Sequence, residues 1–174
     1  GNTDCCIAGD AGNNNSIDVC ETNPNFNMQN QLGGIPDNGG NWYNSSWVSL
    51  ISNSFNPSIN SSGTYAYIVQ GNVISGLSIP CTADTSYLTV NVNPSPIVNI
   101  PPFSNLCDND QEITLNTATP IGGTYNVNGT NTTTFTPSVL NVGSNTIDYS
   151  YTDGNGCSAI SSQNLIVNSS PFAT

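Results

Sequence analysis

Apolar and polar side chains alternate along several short segments of the chain, which is the pattern of a β-strand with one buried face. The alternation is clearest in residues 64–69, 87–93 and 145–151. The side chains predicted to face a core are Tyr65, Tyr67 and Val69 in the first segment, Leu88, Val90 and Val92 in the second, and Ile147, Tyr149 and Tyr151 in the third. The intervening positions are mostly polar, so these segments predict antiparallel strands with one face exposed to solvent.

Clusters of Gly, Asn, Pro and Asp separate the alternating segments. Residues 33–40 and 153–156 are two examples, and such residues supply the turn conformations that short connections need. No segment has the period of an amphipathic helix. Many short strands joined by tight turns predict an all-β sandwich or barrel and exclude a parallel α/β architecture.

Short motifs also recur along the chain. Phe-Asn-Pro-Ser at 55–58 returns as Phe-Thr-Pro-Ser at 135–138, and Gly-Gly-Asn-Trp at 39–42 resembles Gly-Gly-Thr-Tyr at 122–125. Repetition of several motifs along the chain indicates tandem structural modules of unequal loop length.

The repeat predicts two modules, residues 10–95 and 96–170. Several prolines near their junction predict a stiff connection. Residues 1–9 are interpreted as the end of a preceding module or an N-terminal arm, and residues 171–174 as the start of a further connector.

The charge of the chain excludes several functions. It has no Lys, Arg or His and 11 Asp plus Glu, for a formal net charge of −11. Without cations we expect no binding to nucleic acid or to anionic lipid, and no apolar run is long enough for direct membrane insertion. Mechanisms that need His or Lys are impossible, so we predict that the protein is not an enzyme.

Four isolated cysteines predict structural disulfides, since they lack the paired spacing of zinc ligands. Cys20 and Cys107 lie near the first strand of each module, and Cys81 and Cys157 lie before the last strand. Pairing Cys20 with Cys81 and Cys107 with Cys157 would close one long loop in each module. Such bonds imply an oxidising, extracellular location.

The adjacent residues Cys5 and Cys6 have no partner in this scheme. They belong to a preceding module or pair with each other, or they cross-link to a neighbouring subunit.

Three segments together resemble a known family of repeats. Residues 149–159, Tyr-Ser-Tyr-Thr-Asp-Gly-Asn-Gly-Cys-Ser-Ala, are similar to a signature of SprB-type immunoglobulin-like repeats in giant surface adhesins of gliding Bacteroidota. The motifs at 122–125 and 135–137, and the segment 63–69 followed by Cys81, resemble the rest of the repeat. The resemblance implies two tandem immunoglobulin-like antiparallel β-sandwich modules, export by the type IX system, display at the cell surface, and a role in cell adhesion and gliding motility.

Two groups of residues are candidate binding sites. Asp108, Asp110 and Asp153 lie in oxygen-rich segments that could contribute to a calcium site, with turns of the Asx type as the alternative. Trp42 and Tyr43 are candidate glycan contacts in a Gly- and Asn-rich setting, with a place in the core as the alternative for Trp42, whereas Trp47 is predicted to lie in the core.

The sequence therefore predicts a non-enzymatic structural or adhesive module of a large repetitive bacterial surface protein. Its expected partners are neighbouring modules or identical subunits, and surface glycans. One alternative is a subunit of a self-assembling extracellular filament, joined by strand addition or by Cys cross-links. The other alternative is a carbohydrate-binding module. No cofactor is expected apart from calcium.

Overall fold

The computed structural model describes residues 6–73 and 81–171. The chain divides into two compact units, Gly1–Pro94 and Ser95–Thr174. Each unit has its own cluster of buried apolar side chains, as expected of an independent folding domain.

The described part of the first unit contains eight strands and one 3₁₀ helix. They are β1 (Cys6–Ile7), β2 (Asn15–Cys20), β3 (Phe26–Asn27), the 3₁₀ helix Met28–Gln31, β4 (Asn41–Tyr43), β5 (Ser54–Phe55), β6 (Gly63–Val69), β7 (Asn72–Val73) and β8 (Asp84–Asn93). Strands β2, β8, β6 and β4 form a sheet in that order, β3 pairs with β5, and β1 pairs with β7. Strand β2 is parallel to β8, and the other pairs are antiparallel.

The second unit repeats this plan with a longer main sheet. Its elements are β9 (Leu106–Cys107), β10 (Ile113–Thr114), β11 (Thr124–Val127), β12 (Thr130–Asn131), β13 (Thr134–Phe135), the 3₁₀ helix Val139–Asn141, β14 (Gly143–Thr152) and β15 (Ser158–Asn168). The main sheet has the order β12, β11, β14, β15, β9, and β10 pairs with β13. Strand β9 is parallel to β15, as β2 is to β8.

The alternating segments of the sequence form the long strands β6, β8 and β14, and the predicted core faces are confirmed. In β8, for example, Leu88 and Val90 are completely buried, whereas Val92 is half-buried against the same cluster. Burial of one such aliphatic side chain contributes about 1.5–3 kcal/mol to folding. The period-two pattern therefore determines which face of each strand turns inward.

A second layer covers the main sheet of each unit. In the first unit, Phe55 of β5 stacks on Phe26 of β3 at 5.2 Å and meets Tyr65 of β6 edge to face at 5.5 Å. In the second unit, Phe135 of β13 is buried in the core cluster, and the half-buried Ile113 of β10 packs against that cluster. The predicted all-β class is confirmed, and the two copies of the Phe-x-Pro-Ser motif have the same role.

The repeated Gly-Gly-x-aromatic motif also has one role in both units. Trp42 of β4 lies 5.0 Å from Tyr67 of β6, and Tyr125 of β11 lies 4.6 Å from Tyr149 of β14, measured between ring centres. All four side chains are buried. Each motif thus supplies half of an aromatic pair at the centre of its core.

Candidate functional site

Cys20, at the end of β2, and Cys107, at the end of β9, lie in matching turns. Cys20 donates its N–H to Asn23 Oδ1 at 2.7 Å, and its carbonyl accepts from Asn23 N–H at 2.9 Å. Cys107 donates to Asp110 Oδ2 at 2.6 Å, and its carbonyl accepts from Asp110 N–H at 3.0 Å. These are equivalent positions in the two units.

Both predicted disulfide pairings within a module are wrong. Cys20 lies opposite Asn93 at the end of β8, whereas Cys81 precedes the start of β8. Because a strand rises about 3.3 Å per residue, the 10 residues of β8 separate the two cysteines by about 30 Å, while a disulfide needs Cα atoms within about 7 Å. Cys107 and Cys157 are separated by β15 in the same way. The physical reason is the parallel pairing of β2 with β8 and of β9 with β15, which places Cys20 and Cys107 at the far end of the unit's last strand from the loop that precedes that strand.

Three of the four cysteines nevertheless form disulfides. Cys20, Cys81 and Cys157 are each disulfide-bonded, and the latter two are buried. Cys107 is a free, exposed thiol, so its assignment as a disulfide residue is wrong. Cys20, Cys81 and Cys157 are thus disulfide-bonded as predicted, but their predicted partners are wrong.

The predicted cross-link through the N-terminal cysteines stays a prediction. The backbone of Cys6 pairs with Val73 between β1 and β7, and Cys5 lies outside the described residues.

The candidate calcium ligands form backbone turns and are not brought together. Asp108 Oδ1 accepts from Ser170 N–H at 3.0 Å, and Asp110 caps the turn after β9. Asp153 Oδ1 accepts two N–H groups of its own loop, each at 2.9 Å, at the opposite end of β15. Within residues 6–73 and 81–171, no three His, Cys, Asp or Glu side chains are close enough to hold a metal ion. The turn alternative therefore accounts for these carboxylates.

Trp47 is not in the core as predicted, and Trp42, which was a candidate for a glycan contact or for the core, is buried. Trp42 is 4% exposed and lies in the core of the first unit, so it is not available to a glycan. Trp47 is 60% exposed, and its ring lies 6.1 Å from that of Tyr43 at an angle of 49°. The physical reason is position: alternation along β4 turns Trp42 inward, whereas Trp47 lies beyond the strand. The predicted aromatic surface exists, but Trp47 and Tyr43 form it.

Trp47 lies at the tip of a tight turn, residues 43–48, which we call the aromatic turn. The side-chain Oδ1 of Asn44 accepts from the backbone N–H groups of Ser46 and Val48, each at 3.0 Å. Trp47 N–H donates to the Asn44 carbonyl at 2.9 Å. Trp47 has a φ of 59°, a left-handed conformation that costs an L-residue about 1–2 kcal/mol.

Two cavities flank the aromatic turn, and both include Asn44 and Ser45 in their walls. The larger, which we call the serine cleft, has a volume of about 500 Å³ and is lined by five serines, two asparagines and apolar side chains, with no Asp or Glu. The smaller, of about 180 Å³, includes Trp47 and Tyr87. The serine cleft is within the size range of small-molecule sites.

Tyr65 forms part of the wall of the serine cleft. Its hydroxyl donates to the Ser61 carbonyl at 2.8 Å. Burial raises the pKa of this phenol above its ordinary value of 10.0, because desolvation disfavours the phenolate. The cleft therefore presents a neutral phenol at physiological pH.

Sequence reasoning missed the exposed position of Trp47. The run Asn44-Ser45-Ser46 directly before Trp47 is the sequence signal that indicates this exposure. Asn and Ser at these spacings favour Asx turns. A turn at these residues places the following side chain at the surface.

The comparisons with known proteins give one family match. The profile described as bacterial Ig domain (Big_9) matches residues 78–168, slightly more than half of the chain. No curated protein matches the chain significantly.

Two solved structures show a more distant likeness. The structure titled Sidekick-1 immunoglobulin domains 1-5 is 16% identical, with 92% of this chain and 42% of that chain covered and a TM-score of 0.32. Sidekick-1 immunoglobulin domains 1-4, crystal form 1, is 15% identical, with 91% and 51% covered and a TM-score of 0.31. The chain thus spans about half or less of either structure, and these TM-scores are too low to add to the family match.

Over the described ranges 6–73 and 81–171, none of the helices has the length and apolar character needed to cross a bilayer.

Proposed function

Because this chain belongs to the bacterial Ig domain family, we propose that it is a non-enzymatic, extracellular structural and adhesive module of a large repetitive bacterial surface protein. The immunoglobulin-like class predicted from the sequence is confirmed by the family match. Within that class, the likeness to SprB-type repeats favours export by the type IX system and display on a gliding cell.

The observation that carries the proposal is the oxidised state of Cys20, Cys81 and Cys157. Disulfides persist in oxidising compartments and are rare in the cytosol. Two of these cysteines are buried, where a structural disulfide is protected from exchange. A disulfide-bonded chain of bacterial Ig modules fits a place outside the cytoplasm.

The chemistry of the side chains supports a passive role. Immunoglobulin-like domains are generally non-enzymatic, and this chain has no Lys, Arg or His to supply a base or a cation near neutral pH. Its polar surface is built from amides and hydroxyls, with all formal side-chain charges negative. Such a surface suits a soluble spacer with neutral binding surfaces.

Surface labelling of the source bacterium tests the location. Antibodies raised against the folded chain should label intact cells, and proteinase K added to intact cells should remove the label; trypsin is unsuitable because the chain has no Lys or Arg. Beads coated with the chain should adhere to the natural substratum or to neighbouring cells more than beads coated with the reduced, alkylated chain. Labelling seen only after lysis would overturn the proposal.

The filament alternative depends on an arm that adds to another subunit as a strand. Residues Cys6–Ile7 already pair with Asn72–Val73 in the same unit, so the backbone of this part of the arm is occupied. Electron microscopy of the purified chain separates the alternatives, because isolated particles support the surface module and ordered fibres support the filament.

A further inference from the structure

We propose that the aromatic turn and the smaller cavity beside it bind neutral glycans, an inference that rests on the proposed adhesive function and names its ligand class. The ligand would place the apolar face of a sugar ring against Trp47 and Tyr43 and direct its hydroxyl groups to the wall of the smaller cavity.

The exposed Trp47 is the first observation that supports this site. Its ring is 60% exposed although it is one of the two tryptophans of the chain. Its backbone has a φ of 59°, where Asn or Gly would fit without strain. A bulky apolar side chain that is strained and exposed contributes nothing evident to folding, and such outliers concentrate at ligand sites.

The support of the turn makes the platform rigid. Asn44 Oδ1 holds two backbone N–H groups, and the backbone of Asn44 and Val48 closes the hairpin with a bond of 3.0 Å. The Tyr43 ring lies beside Trp47, so two aromatic rings are held at one place. A rigid platform binds with a small loss of conformational entropy.

The smaller cavity supplies hydrogen-bonding groups next to this platform. Its wall contains Asn44, Ser45 and Trp47 of the aromatic turn and adds the hydroxyl groups of Thr64 and Tyr87. The Asn44 Nδ2 donor takes no part in the bonds of the turn. Hydroxyl and amide groups beside an apolar surface complement a sugar, which has hydroxyl groups around an apolar ring face.

Charge selects the class of glycan. The chain carries a formal charge of −11 with no Lys or Arg, so it repels carboxylated, sialylated and sulfated sugars and offers them no ion pair. The smaller cavity has no Asp or Glu in its wall. Neutral hexose-based glycans are therefore the expected ligands.

The test uses the full chain on an array of neutral glycans and their acidic counterparts. Trp47→Asn removes the platform and relieves the backbone strain, so this variant should melt at the same temperature as the parent or above it. Ile121→Asn is the matched control, because Ile121 is an exposed apolar side chain of the second unit. We expect neutral glycans to bind, Trp47→Asn to weaken the affinity by about tenfold or more, and Ile121→Asn to change it by less than about twofold.

A fluorescence titration with the bound glycan in solution gives a second measurement of binding. Addition of the bound neutral glycan should shift the fluorescence of the parent chain to shorter wavelength as Trp47 becomes covered, and should leave Trp47→Asn unchanged. A silent array, equal binding by Trp47→Asn, or preference for acidic glycans would overturn the proposal.

These experiments distinguish a failure of the glycan site from a failure of the proposed function. If coated beads adhere equally with the parent chain and Trp47→Asn while the array is silent, the adhesive function stands and the glycan site fails. If neutral glycans bind through Trp47 but antibodies reach the chain only in lysed cells, the surface location fails and the glycan site stands.

Discussion

The backbone N–H of Gly123 donates to the hydroxyl of Tyr149 at 2.6 Å, and that hydroxyl donates to the Pro120 carbonyl at 2.7 Å. The first unit has the same arrangement, with Gly40 N–H donating to Tyr67 Oη at 3.0 Å. A Cβ at either glycine would lie 2.6 Å from the ring Cζ of its tyrosine. The second glycine of each Gly-Gly motif is therefore required by the close approach of a buried tyrosine.

Gly123→Ala should destabilise the second unit by about 1–3 kcal/mol, because the added methyl group collides with the Tyr149 ring and the Ser150 carbonyl. Urea denaturation followed by tyrosine fluorescence measures the change. Gly154→Ala is the control, since a Cβ there has no neighbour within 4 Å, and its midpoint should stay close to that of the parent. Equal midpoints for the two variants would contradict the role of Gly123.

Cys107 should be the reactive thiol among the four cysteines of the two modules, since it is free and exposed while Cys20, Cys81 and Cys157 are oxidised. Maleimide added to the native chain should label Cys107 and none of the other three, and Cys107→Ser should abolish this label. Mass spectrometry after cleavage at Asp and Glu provides the measurement. A cross-linked peptide joining Cys20 to Cys81, or Cys107 to Cys157, would refute the strand register described above.

Trp42→Ala should cost about 3–5 kcal/mol of stability, because it removes a buried indole from the core. Trp42→Phe should cost less than Trp42→Ala, because it keeps an aromatic ring in the core and leaves a smaller cavity. The buried Nε1 of Trp42 has no hydrogen-bond partner in the described part of the chain, so phenylalanine loses no such bond. Denaturant midpoints of the two variants check this order, and a phenylalanine variant as unstable as the alanine variant would show that the indole N–H matters.

Tyr65 should make the first unit sensitive to alkali. Burial raises its pKa above 10.0, so the unfolded chain loses this proton at a lower pH than the folded chain. The free energy of unfolding therefore falls as the pH rises above about 10, until the folded phenol also ionises.

The variant Tyr65→Phe isolates this effect. It loses the bond to Ser61, at a cost of about 1 kcal/mol near neutral pH, but its stability should fall less steeply above about pH 10. Thermal melts between neutral pH and about pH 11 measure both slopes. Parallel curves would show that Tyr65 ionises in the folded state as readily as in the unfolded chain.

The alternation of apolar and polar residues was sufficient to predict the long strands β6, β8 and β14. The alternation of residues 87–93 depends only on the period of a strand and on the burial of apolar side chains, and Leu88 and Val90 are buried as predicted. The Gly-Gly-x-aromatic and Phe-x-Pro-Ser repeats likewise indicated equivalent positions, which the aromatic pairs and the Phe55 and Phe135 contacts confirm.

Cysteine pairing and the roles of the tryptophans depended on contacts between residues far apart in sequence. Composition shows that disulfides are to be expected, but only the parallel register of β2 with β8 places Cys20 at the far end of the strand from Cys81. Likewise Trp42 and Trp47 have similar local surroundings in the sequence, and strand direction together with the Asn44 turn decides which one is buried. Periodicity is a property of each segment alone, whereas strand register and side-chain exposure arise only when separate segments pack together.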